Sequence, residues 1–343
     1  MKTWPIAAAA VSAVLVAGCG VGPEPAPVRD GAARAQPASV RMGVVLNALD
    51  NPFWVAIYEG ARAQSRRLGV RATVRSVTSN AELAGQAAQV RALASARPDC
   101  YVVAPITATN LVTALRGVRP PIVVNSPIDP AAAERAGVRI GTYIGTNDFA
   151  AGRLAGLRMA SLLRGGGEVA LMGGWADNVN SRLRLGGFES GIRGSRVRVV
   201  ARVNADYDRT TAQIAAERIL RAHPRLAGFF AANDLMALGI ADSVRAARKT
   251  DSVRIIGLDG IAEALDAIRA GSLSATVSQY PYVMGQMAAE ACAAAARGAR
   301  LPARVDAPIA LLTKDNVDRA IDAFPKPFQP YTDPFGSLLR RAR

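Results

Sequence analysis

Side chains able to do chemistry gather in this sequence at the ends of short apolar runs. Asn47 follows the first run, and Asp50, Asn51, Pro52, Phe53 and Trp54 come just after it. Asn125 and Ser126 close a later run, and Gly174 and Trp175 follow another, with Arg182 and Arg184 downstream. Asp206, Tyr207 and Asp208, then Asn233 and Asp234, then Asp259, then Gln279 and Tyr280 end the remaining runs. The set is one of carboxylates, amides, guanidinium groups and flat rings. Rings stack on the C–H faces of a sugar, while Asp, Asn, Gln and Arg form hydrogen bonds with its hydroxyls. The pattern predicts recognition of a small neutral polyol. It offers no nucleophile beside a base, because the single histidine, His223, precedes Pro224 at a helix end, so no enzyme is expected.

Such positions need a scaffold that brings strand ends together. From residue 41 the chain alternates β-like runs with helical stretches. Strands are expected at 40–46, 70–77, 100–105 and 122–125, and near 140–144, 168–172, 196–203, 226–231, 253–258, 273–278 and 307–312. Asn51 and Pro52 supply an N-cap and a Pro at N1 for a helix that stops at Gly69. Ser79 to Glu82 read as a capping box before a helix over 81–96. Further helices are expected at about 109–117, 149–163, 210–222, 262–269 and 284–296. This alternation implies right-handed βαβ units in mostly parallel sheets, whose ligands bind beyond the carboxyl ends of the strands. Ten or so strands fit two sheets more easily than one; a TIM barrel is the architectural competitor.

Composition narrows the classes. A length of 343 residues, half of them hydrophobic, allows two or three domains with sizeable cores. The net charge of +15 first suggests nucleic acid, but only four of the 42 basic residues are Lys and the Arg residues are scattered. A solvated surface is the better reading, with no nucleic-acid partner. Three cysteines and one histidine leave no four-cysteine or His-rich metal site, and no metal or cofactor is expected. Cys100 and Cys292 lie in apolar surroundings and read by default as buried free thiols, with a disulfide permitted if the protein is exported. Gly165, Gly166 and Gly167 precede a strand, so they form a turn rather than a dinucleotide fingerprint.

The N-terminus reads as an address. Lys2, the apolar run 6–16 and the small residues before Cys19 carry the marks of an export signal over 1–18. The run is too short to span a bilayer. The sequence Val16-Ala17-Gly18-Cys19 resembles a bacterial lipobox, which implies a lipid on Cys19 and attachment to a membrane through it. Residues 19–40 are rich in Pro, Gly and Ala and suit a flexible spacer.

Seven motifs in order carry a family resemblance. They are Asp-Asn-Pro-Phe-Trp (50–54), Arg-Leu-Arg-Leu-Gly-Gly-Phe (182–188), Ala-Asp-Tyr-Asp-Arg (205–209), Ala-His-Pro (222–224), Ala-Asn-Asp-Leu-Met-Ala-Leu-Gly (232–239), Gly-Leu-Asp-Gly (257–260) and Ala-Thr-Val-Ser-Gln (275–279). Together they resemble the periplasmic sugar-binding proteins of ribose-binding type, the solute receptors of ABC importers. The resemblance implies an α/β fold of two doubly wound, Rossmann-like parallel-sheet domains joined by a three-crossover hinge. The lobes are expected at 41–146 plus 279–308 and at 147–278 plus 309–325, with 326–343 a tail over the second lobe.

Carried over by position, the resemblance implies ligand contacts from Asn51, Phe53 and Trp54 on one side and Tyr207 on the other. Arg184, Asn233, Asp259 and Gln279 match the family's cleft arginine, amide, carboxylate and hinge-side amide. Where the family often has Asp followed by Arg or Ser, this chain has Asn125 and Ser126, so its hydroxyl pattern differs from that of ribose. Asp50 and Trp175 are further candidates, and Asp234 is expected to cap the helix after Asn233. The implied function is capture of a sugar or polyol and delivery to an ABC transporter permease by a monomeric, exported, lipid-anchored receptor. The alternatives are a sensory receptor that signals to a chemoreceptor or kinase, and a sugar-responsive repressor core, whose helix-turn-helix the export signal replaces here.

Overall fold

The computed structural model describes residues 39–341. The expected export signal, Cys19 and most of the spacer lie outside the described residues. The first run, β1 (Arg41–Leu46), is apolar at nearly every position and buried from its second residue on, as a strand covered on both faces must be. It is followed by α1 (Pro52–Leu68), β2 (Arg71–Ser76), α2 (Leu83–Ser95), β3 (Cys100–Val103), β4 (Ile122–Val124), α3 (Pro130–Arg135) and β5 (Thr142–Gly145). The chain then continues through α4 (Asp148–Leu162), β6 (Gly167–Gly173), α5 (Val179–Ile192), β7 (Val197–Asn204), α6 (Arg209–Ala222) and β8 (Leu226–Ala231). Next come α7 (Asp234–Ala246), β9 (Arg254–Asp259), α8 (Ala262–Ala270) and β10 (Ala275–Ser278). Last are α9 (Pro281–Ala296), β11 (Arg304–Asp306), β12 (Ala310–Thr313), α10 (Val317–Ala323) and α11 (Pro334–Arg341).

The strands form two six-stranded sheets, ordered β11-β5-β4-β3-β1-β2 and β12-β10-β9-β8-β6-β7. This is not a TIM barrel. The first sheet is parallel throughout; in the second, β12 runs antiparallel to β10. Alternate side chains serve opposite faces, so Val44 joins the core under α1 and α9 while Val45 joins the one under α2. Phe229 and Phe230 divide the same way in the second lobe. The main chain passes between the sheets after β5, after β10 and after β11, the three crossings expected.

Glycines bring α4 and α5 unusually close. A Cβ on Gly152 would lie 2.0 Å from the backbone oxygen of Arg184, and one on Gly187 would lie 2.2 Å from that of Phe149. That approach sets where Arg184 enters the cleft.

Several expectations fail locally, each for a physical reason. The capping box does not form. Glu82 bonds to Thr78 and Asn80 turns inward to accept from the Ala48 amide at 3.1 Å, so α2 starts later, with no side-chain cap. Residues 109–117 make consecutive turns rather than a helix. There Thr107 and Asn110 cap each other's amides and Asn110 also donates to Gln86 at 2.8 Å, so these side chains compete with a helical ladder. The strand expected near 307–312 is β12, which starts only at Ala310, and a strand that was not expected, β11, precedes it in the other sheet. Pro308 lies between them, and a proline has no N–H for a ladder.

Cys100 and Cys292 are buried, but as a disulfide rather than free thiols, with Cα atoms 5.6 Å apart. The bridge ties β3 to α9, joining two pieces of the first lobe that are 192 residues apart in sequence. The tail does not rest on the second lobe alone. Its helix α11 buries Phe335 and Leu339 in the first lobe's core, against α9.

That contact holds a titratable group. Glu290 on α9 is 8% exposed, accepts from Gln64 and sits by Asp333. Burial, then Asp333, push its carboxyl up to about 9. A folded pKa above the unfolded one gives a stabilisation that is complete below the ordinary Glu range and lost as pH rises towards 9. Glu290→Gln keeps the acceptor for Gln64 and removes the charge. Its melting temperature should therefore rise relative to the native protein as pH goes from 5 to 9. A gain of roughly 2–4 °C at the alkaline end is expected in a thermal melt.

Candidate functional site

The carboxyl ends of both sheets face one cleft, lined by side chains from both lobes. On the first lobe, Asn51 is the N-cap of α1, its Oδ1 accepting from the Phe53 amide at 2.9 Å. Phe53 and Trp54 on the first turn meet edge to face, 5.1 Å between centroids, and form one wall. Trp175 and Tyr207 form a second edge-to-face pair, at 5.3 Å, on the opposite lobe. The Tyr207 hydroxyl donates to Asn178 Oδ1 at 2.8 Å. Gly174 leaves room for its ring, since a Cβ there would come within 2.2 Å.

The floor is a buried ionic network. Arg184 donates from Nε to Asp148 at 2.7 Å, to the Ala232 carbonyl at 2.7 Å and to Gln279 Oε1 at 3.1 Å, and lies 3.7 Å from Asp259. Gln279 Oε1 also accepts from Thr146 at 2.7 Å, and its Nε2 donates to Asp259 at 2.6 Å. Thr146 and Gln279 belong to two of the interlobe crossings, so the network reaches from cleft to hinge. Burial pushes the Asp148 and Asp259 carboxyls above the ordinary range, and Arg184 pulls both back. For Arg184 burial works against the charge, but the carboxylates of Asp148 and Asp259 outweigh it and hold the guanidinium ionised.

Asp234 lies below this floor. It does not cap α7, because Asn233 does that itself, accepting from the Met236 amide at 2.9 Å. Asp234 instead accepts from the amides of Gly260 and Ile261, at 2.7 and 3.1 Å, and from Thr276 at 2.6 Å. It thereby fixes the turn that presents Asp259.

Five residues near the cleft, Asn125, Asp206, Tyr207, Asp259 and Tyr280, have positive φ without being glycine. Strain of this kind gathers where side chains must be aimed. Asn125 is the most telling, at φ 61°. Its carbonyl accepts from Tyr143 at 2.7 Å and from Asn180 at 3.0 Å, the latter across the lobes. Its Oδ1 is buried without a hydrogen-bond partner.

Of the sequence candidates, Asn51, Phe53, Trp54, Asn125, Ser126, Trp175, Arg184, Tyr207, Asn233 and Asp259 line this one cleft. Gln279 is fully buried behind it and touches it through Arg184 and Asp259. Asp50 is exposed and outside the lining, and so is Arg182. Asn47, noted in the sequence only as a strand-end residue, Asn80, expected within a capping box, and Asn178 and Asn180, given no role, also line the cleft, and Asp148, likewise given none, lies beneath it. The signal for the asparagines was present, since each lies in a loop after a strand or, for Asn180, in the first turn of the helix that follows. Asn47 is held by Gln86, whose Nε2 donates to its Oδ1 at 2.9 Å.

Two mostly parallel sheets wound the same way, crossed three times and opening on a shared polar cleft, define a two-lobed solute receptor. The profile of the periplasmic binding protein domain matches residues 42–300, and the chain belongs to that family. It is 31% identical over 255 residues to the D-allose-binding periplasmic protein of Escherichia coli K12, covering 72% of this chain and 82% of the relative. It is 28% identical over 273 residues to the ribose import binding protein of Bacillus subtilis 168, covering 80% and 87%. In fold it is similar to an ABC transporter solute-binding protein of Actinobacillus succinogenes with bound D-allose. That likeness has a TM-score of 0.79 at 23% identity and covers 82% of this chain and all of that one. A solute-binding protein of Bacillus halodurans with bound myo-inositol has a TM-score of 0.76 at 24% identity, covering 84% and 99%.

Proposed function

We propose that this protein captures a small neutral sugar or polyol in the cleft and delivers it, unchanged, to the permease of an ABC importer. The observation that carries this reading is Asn125 Oδ1, a buried acceptor in the cleft wall with no donor from the protein. A buried polar atom left unpaired costs free energy, and a ligand hydroxyl is the donor that fits. The rest of the lining agrees. Seven asparagine side chains offer both donors and acceptors, and two aromatic pairs supply faces for C–H groups. The one guanidinium is matched by Asp148 and Asp259, so no surplus positive charge invites an anion. The relatives named for D-allose and ribose and the neighbour holding myo-inositol belong to the same chemical class.

Contacts from both lobes favour a closed state when ligand is present. The closed receptor then meets the permease, whose energy comes from a separate ATPase. The residues from Lys2 to Cys19 support export and a lipid anchor on Cys19. A thermal-shift screen against aldoses, polyols and inositols tests the reading. At least one neutral compound should raise the melting temperature in a concentration-dependent way, by about 2.7 kcal/mol of stabilisation at a hundredfold excess over Kd. Stabilisation by none of them, or only by anionic or apolar compounds, would overturn it.

A further inference from the structure

The family match ends at residue 300, yet the chain goes on to cross between the lobes a fourth time. Helix α10 belongs to the second lobe, where Val317 and Ala320 are buried in the core. Phe328 packs on the same core, with the Arg319 guanidinium 5.0 Å from its ring centroid. Helix α11 belongs to the first lobe, where Phe335 is fully buried and Leu339 is 7% exposed. Asp333 starts α11 by accepting from the Phe335 amide at 2.9 Å. Both ends of the segment 324–333 are therefore anchored in hydrophobic cores, one in each lobe.

The connection is short and stiff. From Phe328, packed on the second lobe, to Phe335, buried in the first, seven residues can reach at most about 23–25 Å, and Pro330 and Pro334 stiffen them. It leaves α10 along the gap that parting lobes would widen. Phe324 and Pro325 wall a groove whose other sides are Pro52 and Val55 from α1 and Ile261 and Leu265 beside and on α8. We propose that residues 324–341 form a strap that limits how far the two lobes can part. The strap holds the ligand-free receptor near its closed geometry, so that less ordering remains for the ligand to accomplish. It acts whichever molecule the cleft takes.

The test is a distance measurement between spin labels on Leu83→Cys and Leu183→Cys, exposed positions on the two lobes. The background is Cys19→Ser, and Cys100 and Cys292 are already paired with each other. The variant that decides inserts a Gly/Ser stretch of roughly 12 residues after Gln329. It adds about 17–21 Å of mean reach and leaves both anchors in place. The ligand-free variant should show a population at distances longer than any in the native chain, with an unchanged circular dichroism spectrum. A chain ending at Gln329 should show the same population. Identical distance distributions for the native and lengthened chains would overturn the proposal, whatever the truncated chain does.

Discussion

Arg184→Met should lower the melting temperature by on the order of 10 °C near neutral pH and abolish ligand binding. The substitution keeps much of the side-chain volume but strips the fork that holds Asp148, Gln279 and the Ala232 carbonyl in one place. Breaking a buried pair from one side typically costs about 3–5 kcal/mol, because the partner charge stays buried. Here two carboxylates, Asp148 and Asp259, lose their shared cation. Their pKa values are already raised by burial, and Arg184 is the largest influence lowering them. In the variant both rise further. A raised acid is stabilising below its unfolded pKa and loses that contribution as pH climbs through the folded value. The deficit of Arg184→Met should therefore shrink on acidification towards pH 5 and grow towards pH 8. Arg184→Lys should fall between the two, since an ammonium restores the charge without the three-way fork. Thermal melts across that pH range decide the matter. A deficit that did not change with pH would remove the ionic network from the account.

The second large effect is on binding alone. Asp259→Ala should weaken binding of whichever sugar stabilises the native protein by about 10–150-fold, the worth of a hydrogen bond to a charged group, while the ligand-free protein stays folded. Asp259 is costly to the fold as an ion, because burial raises its pKa and Asp234 below raises it more. Removing it relieves that cost, though Gln279 Nε2 loses an acceptor. Asp259→Asn keeps one acceptor and should lose less affinity than the alanine variant. Calorimetric titration of the two variants separates these cases; equal affinity for all three proteins would take Asp259 out of the site.

Strand ends were legible in the sequence because parallel sheets put loops, and hence ligand groups, at a single edge. That rule reached Asn51, Trp54, Asn125, Tyr207 and Asp259 from local pattern alone. It failed where the partner is remote. Asp148 reads locally as an acidic residue in the first turn of a helix, and only folding brings it to Arg184, 36 residues away. The Cys100–Cys292 bridge is invisible for the same reason, at 192 residues. Asn80 was taken into a capping box that fails because Glu82 bonds to Thr78, while Asn80 itself accepts from the Ala48 amide. The tail did carry a signal. Phe335, Leu338 and Leu339 share one face of a short helix, but no periodicity states which lobe that face will cover.

Tryptophan emission reports directly on ligand entering the cleft. Two of the three tryptophans, Trp54 and Trp175, line the cleft from opposite lobes, and Trp4 lies outside the described residues. Titration of the native protein with the sugar or polyol that stabilises it should give a saturable change in emission with one site per chain. The same titration of Asp259→Ala should reach its midpoint only at a concentration about 10–150-fold higher. A compound that binds tightly without altering the emission, or alters it equally in Asp259→Ala, would contradict binding in this cleft.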